Sequence, residues 1–280
     1  MAVGKVVALV DGSSYSTSVC EHAAWIASRH QVPVELVHVI GRRETAPHDL
    51  LEDSARGDLL DRLREMEGQR HALADQMGEA ILAEAAALTT AAGAPEVHRK
   101  VRHGDLIEAL HELEVDARYI VVGKRGAAAD FAKLHLGSNI ERVVRASRVN
   151  VMVASRAFSK VKRFLVAYDG GRSARKAIEL ISRSPLYTGL KPHILTVSPN
   201  TAEAQRQLEA AEEALNWSGD VVTDAAPGDA EKVIAGYVEE NCIDLLVMGA
   251  YGHSRVRNLL VGSTTSQMMR SCRIPVLIVR

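Results

Sequence analysis

The feature that most constrains this chain is that it repeats itself. Phe164 to Tyr168 followed by Asp169-Gly170-Gly171-Arg172-Ser173 matches Ala8 to Ser14. The later landmarks recur in the same order. Val34 to Ile40 is matched by Ile194 to Val197, Gly104-Asp105 by Gly228-Asp229, and Ile120 to Gly123 by Leu245 to Gly249. Gly137-Ser138 is matched by Gly262-Ser263, and Asn150 to Ala154 by Pro275 to Val279. Landmarks that recur in order identify an internal duplication. The 280 residues therefore divide into two domains, 1–156 and 160–280, joined by a short polar stretch near Ser155 to Lys160.

Each copy alternates short β-branched runs with helical patterns. In the first copy the runs are Val6 to Val10, Val34 to Ile40, Val97 to Val101, Tyr119 to Val122 and Val149 to Ala154. Between them, Ser16 to Arg29 places Val19, Ala23, Ile26 and Ala27 on one helical face, and Asp105 to Leu113 has a second helical pattern. This alternation predicts an α/β fold with a parallel sheet covered on both faces. Ligands bind such sheets beyond the carboxyl ends of the strands, where strand order reverses.

The carboxyl-end loops are where chemistry is concentrated. Gly249 to Thr264 leaves the apolar run Ile243 to Met248 as a glycine-punctuated loop and ends where a helix can start. Glycines let the backbone turn and let a ligand approach it. Ser263 and Thr264 add hydroxyls and N–H groups at a helix N-terminus, a position that favours phosphate. An ordinary strand-loop-helix connection has the same pattern, so spacing alone leaves both readings open. The duplication favours the binding reading, because the loops after the first and fourth strands of a copy must converge in space.

The copies are not equal. The connection between second and third strands is more than twice as long in the first, through the charged segment Leu50 to Ala92. There Leu59, Leu63, Met66, Leu73 and Met77 fall at helical spacing, with Gly68 and Gly78 placed to kink or divide the helix. An amphipathic surface helix is the plainer reading, and a membrane or partner helix the other.

Other chemistry is excluded by what surrounds each candidate. A net charge of -1 and only 2 Trp and 3 Phe argue against nucleic acid. Cys20, Cys242 and Cys272 lack metal-like or paired spacing. With an N-terminal apolar run too short for a signal or a membrane span, they lead to the expectation of a cytoplasmic protein. Val115 breaks the zinc-like start at His111-Glu112, which reads as an exposed helix face. Val256 stands where a nucleophile elbow needs glycine after Gly252-His253-Ser254-Arg255, and no Gly-x4-Gly-Lys-Ser/Thr occurs. No catalytic residue and no metal site can be assigned.

These residues resemble the universal stress protein family in its tandem two-domain form, over essentially the whole chain. The family motif Gly-x2-Gly-x9-Gly-Ser/Thr is kept in the second copy by Gly249, Gly252, Gly262 and Ser263. The resemblance implies two doubly wound five-stranded parallel sheets of order 3-2-1-4-5, adenine nucleotide alpha hydrolase-like. It implies ATP or ADP as ligand, with or without Mg²⁺. The adenine side would be held by Ala167, Asp169 and Val197, with Met248 lining the pocket. Gly249, Gly252, Gly262, Ser263 and Thr264 would hold the phosphates. Ala167 departs from the proline common there. Asp169 would orient the ribose or a hydrated Mg²⁺, its structural alternative being a helix N-cap.

In the first copy ten residues rather than nine separate Gly126 from Gly137, and Asn139 replaces the second copy's Thr264. Lys124 and Arg125 add cations near that loop. Weak or absent nucleotide binding is expected there, with Asp11 and Val39 as the corresponding pocket residues. The resemblance also implies pairing through the fifth strands, so that one chain is an intramolecular pseudo-dimer, with homodimers of whole chains as a further state. The expected activity is that of a non-catalytic, nucleotide-dependent stress regulator with an unknown protein partner. A nucleotide-free module that binds lipid or protein is the alternative, and a slow ATPase is a third reading.

Overall fold

The structure, a computed structural model, describes residues 4–41, 53–125, 138–251 and 262–280. Five strands come from the first copy: β1 (Lys5–Leu9), β2 (Val34–Ile40), β3 (Val97–His103), β4 (Ala117–Gly123) and β5 (Asn150–Ala154). Five come from the second: β6 (Arg163–Ala167), β7 (Lys191–Val197), β8 (Val222–Ala226), β9 (Leu245–Gly249) and β10 (Val276–Val279). All ten lie in one sheet of order β3-β2-β1-β4-β5-β10-β9-β6-β7-β8. Each copy is thus 3-2-1-4-5, parallel within itself.

The two copies meet at β5 and β10, which pair antiparallel with Leu277 opposite Met152. This joins two expected sheets into one and leaves β3 and β8 as its edges. Those edges carry charge, as Val-His-Arg-Lys-Val-Arg-His and Val-Thr-Asp-Ala-Ala. Charged edge strands discourage pairing with another chain.

The inner strands β1, β4, β5, β6, β9 and β10 are largely apolar because helices cover both faces. One face packs α1 (Ser16–His30), α2 (Asp53–Ala91), α5 (Arg172–Arg183) and α6 (Thr201–Leu215). The other packs α3 (Leu106–Leu113), α4 (Ser138–Ala146), α7 (Ala230–Glu240) and α8 (Ser263–Ser271). Asp105 caps α3 by accepting from Ile107 N at 2.7 Å, and Asp229 caps α7 by accepting from Lys232 N at 3.1 Å. The glycines before them, Gly104 and Gly228, sit at φ 116° and 135°, which only glycine adopts easily.

Helix α2 corrects one expectation: it runs through Gly68 and Gly78 as a single 39-residue helix, about 58 Å of it. Gly78 serves close packing instead of a break, since a Cβ there would lie 3.0 Å from the His38 ring. Leu82 and Ala85 bury the C-terminal part of α2 as Leu208 and Ala211 bury α6. The additional length therefore precedes this packed part. Among its described side chains, Met66, Leu73 and Met77 are about two-thirds exposed. No described helix is long and apolar enough to cross a membrane.

A second correction concerns His111 to Val115. Glu114 is buried, accepting from the Ser147 hydroxyl and from Arg148 N. The exposed-face reading holds for Glu112 and Val115 only.

Candidate functional site

The site is assembled at the carboxyl ends of β6, β7 and β9. Where β6 stops, Tyr168 N donates to Leu195 O at 2.9 Å and keeps the chain beside β7 for one more residue. Asp169 Oδ1 then accepts from Gly171 N at 2.8 Å, which turns the chain sharply. Gly170 makes that turn at φ 70°, and a Cβ on it would stand 3.0 Å from the Gln207 side chain of α6. The N-cap of α5 is Gly171, without a side-chain bond, so Asp169 shapes the turn and does not cap the helix.

At the end of β9 the backbone is pressed against the start of α5. A Cβ on Gly249 would be 2.5 Å from Ser173 Cβ, a distance no side chain tolerates, which fixes glycine there. Gly262 N donates to Ala250 O at 3.1 Å, and Thr265 Oγ1 donates to Gly249 O at 3.1 Å. These two bonds pin the start of α8 to the end of β9. The N-cap of α8 is Gly262, which has no side chain to satisfy the helix. The first intrahelical bond is Ser266 N to Gly262 O at 2.9 Å. The N–H groups of the first turn therefore have no partner within the helix, and the positive end of its dipole faces the same space.

That space is a cavity of about 220 Å³. Its walls include Ala167, Asp169, Val197, Met248, Gly249, Gly262, Ser263 and Thr264, so the structure brings eight of the nine residues singled out in the sequence together. Gly252 lies outside the described residues, as do His253 and Arg255. Residues that sequence reasoning missed complete the lining: Tyr168, Ala174, Leu195, Ala230, Ile234, Tyr251 and Thr265. Ala230 and Ile234 had a signal, because they follow the repeated Gly228-Asp229. Tyr251 lay inside the marked loop Gly249 to Thr264, but as a tyrosine it had no signal of its own.

The lining combines apolar side chains, among them Leu195, Val197, Ile234 and Met248, with Asp169 and the α8 N-terminus. Asp169 is the one carboxylate among the described lining residues, which include no lysine, arginine or histidine. No group of three or more potential metal-binding side chains occurs among the described residues. Apolar side chains beside a helix N-terminus suit a ligand that joins an apolar body to an anionic group.

Tyr251 is held from outside the cavity. Arg280 Nη1 donates to Tyr251 Oη, and the Arg280 guanidinium carbon lies 5.2 Å from the centre of the Tyr251 ring.

The first copy keeps the framework and changes the contents. Asp11 Oδ1 accepts from Ser13 N at 3.0 Å, and Gly12 turns at φ 74°, as in the second copy. Tyr15 occupies the place of Ser173, with its Cγ 3.4 Å from where a Cβ on Gly123 would be. Ile81, in the place of Gln207, lies 3.0 Å from where a Cβ on Gly12 would be. Lys124 was expected to add charge near its own loop. Its Nζ instead donates to the Cys272 carbonyl beyond α8 of the other copy, and burial brings its pKa down to about 8. Gly126 and Gly137 fall outside the described residues, so the additional loop residue has no structural account.

Comparisons with known proteins give the same affiliation. The family model described as "Universal stress protein family" matches residues 3–155 and 196–280. A universal stress protein of Synechocystis sp. is 34% identical over 284 residues, covering 98% of this chain and 99% of that one. The crystal structure of a universal stress protein from Archaeoglobus fulgidus has a TM-score of 0.73 at 24% identity, covering 100% of this chain and 99% of that one. A functionally unknown protein from Pseudomonas aeruginosa has a TM-score of 0.64 at 16% identity, covering 99% and 92%.

Proposed function

This chain belongs to the universal stress protein family, and from that premise we propose that its second copy binds ATP or ADP and acts as a nucleotide-dependent regulator. One observation carries this reading. The residues chosen from the motif line a single cavity that ends on the uncapped N-terminus of α8. Adenine lies against Val197 and Met248, and the phosphates lie at Gly262, Ser263 and Thr264. Mg²⁺, where present, is held by the phosphates with Asp169 nearby, and neutralises charge there.

The first copy does not take part in this binding. A tyrosine against Gly123 and an isoleucine against Gly12 fill space that the second copy keeps open or polar. The role is regulatory rather than catalytic. The lining has one carboxylate, Asp169, whose Oδ1 already accepts from Gly171 N, and no described base to activate water.

The test is mass spectrometry of the denatured, as-purified protein. Adenine nucleotide is expected at up to one per chain, and Gly262→Val, which crowds the α8 N-terminus, should remove it. Unchanged nucleotide content in that variant would overturn the site. The exposed Met66, Leu73 and Met77 on α2 favour a second reading, an interaction module without nucleotide. An empty cavity, with co-purifying lipid or protein lost when these three are replaced by glutamine, would favour it.

A further inference from the structure

The duplication builds two equivalent grooves across the β5–β10 seam, related by the pseudo-twofold axis. One is filled by the chain itself. Beyond β5, Phe158 packs on α1, with its ring 4.9 Å from His22 in an edge contact and 6.4 Å from Trp25. Below it, Asp244 accepts from Lys162 N and Arg163 N at 2.8 and 2.9 Å, closing the connection to β6.

The other groove is open. It is a cavity of about 530 Å³ between α5 and the starts of β4 and β5, within the range of small-molecule sites. The residues that line it have changed in one direction. With Asp11 aligned on Asp169, Ser18 corresponds to Lys176, His22 to Leu180 and Trp25 to Arg183. With Gly123 aligned on Gly249, Asp244 corresponds to Arg118 and Leu245 to Tyr119. Where the filled groove has serine, tryptophan and aspartate, the open one thus has lysine, arginine and arginine. Glu179 is the one carboxylate side chain in the lining.

The floor carries an independent sign of a ligand. Tyr119 is only 2% exposed and lines the cavity, and its hydroxyl, beside the Ser184 hydroxyl, makes no hydrogen bond of full geometry. Buried hydroxyls are normally satisfied fully, by protein, water or ligand. Beside it His30 Nε2 lies 3.3 Å from Ser184 Oγ, and Leu180, Pro185 and Val279 add apolar wall.

We propose that this open groove binds a small organic anion, a phosphate monoester or carboxylate with an apolar body. The body lies on Leu180 and Tyr119, where Phe158 lies in the filled groove. The anionic group meets Lys176, Arg183 and Arg118 at the rim, and a polar atom of the ligand accepts from Tyr119.

The full-length protein is titrated calorimetrically with phenyl phosphate, and with inorganic phosphate to separate the contribution of the ring. With the α8 cavity occupied by excess ADP, one site per chain is expected, with phenyl phosphate the tighter ligand. Lys176→Ala and Arg183→Ala each weaken it about three- to tenfold. Arg183→Trp, which installs the residue of the filled groove, abolishes it. Tyr119→Phe weakens it without altering the fold as read by circular dichroism. Gly262→Val, at the separate α8 cavity, leaves it unchanged. Absence of binding, affinity indifferent to Lys176 and Arg183, or loss of binding in Gly262→Val would overturn the proposal.

Discussion

At the scale of single residues, His22 shows how packing sets chemistry. It lies inside α1, with Nδ1–H donating to Ser18 O at 2.7 Å, and burial lowers its pKa from 6.5 to about 4. The folded state therefore binds fewer protons than the unfolded state between those values, and acid favours unfolding there. Stability should be full above pH 6.5 and should fall as pH drops from about 6.5 towards 4. His30, half-buried and also lowered to about 4 by burial and then by Arg118, acts in the same window. Denaturant midpoints measured across this range check it. His22→Leu, which places the second copy's Leu180 chemistry in α1, should flatten the profile by about 2–3 kcal/mol at pH 4. An unchanged slope would mean that His22 titrates normally.

At the scale of elements, α2 divides into two parts with different physics. Its C-terminal part is core, with Leu82 fully buried. Leu82→Ala should cost about 2–5 kcal/mol in chemical denaturation, the range for a buried leucine that leaves a cavity. Among the described side chains, the part before Gly78 adds no comparable burial. A triple replacement of Met66, Leu73 and Met77 by glutamine should change stability by about 0.5 kcal/mol or less. A loss of several kcal/mol in the triple variant would mean that this face is covered in solution.

At the scale of the whole molecule, the seam joins the two copies into one sheet. Leu277 and Met152 are fully buried and opposite each other. The pairing is reinforced by Arg270 with Glu141, by Lys124 with Cys272 O, and by Arg280 N donating to Asn150 Oδ1 at 3.2 Å. Arg29 Nη1 reaches Thr188 O at 2.9 Å on the helical face. The parent protein should unfold in one calorimetric transition. Leu277→Asp buries a charge in the seam and should lower the midpoint and separate the copies into two transitions. Two transitions in the parent protein would show that the copies are energetically independent.

The duplication, the α/β alternation and the motif glycines were legible in sequence because they are local: β-branched runs, Asp caps and glycine turns act within a few residues. The strand order and pairing through the fifth strands followed from resemblance to a family, not from composition or periodicity. Gly249 was legible as a glycine, but its reason, the 2.5 Å approach to Ser173, exists only once β9 and α5 pack. The continuity of α2 through Gly68 and Gly78 was misread because two glycines cost a long helix less than its other residues and packing supply. Lys124 was placed by sequence beside its own loop, whereas tertiary structure sends it across the seam. Tyr251 meets Arg280 only through the parallel pairing of β9 with β10, and the walls of the open groove meet only through the antiparallel pairing of β5 with β10. The repeated unit and the loops on which a ligand can be held are written in local patterns of residues. How the two units face each other is set at the tertiary level, because it depends on long-range contacts that no local pattern encodes.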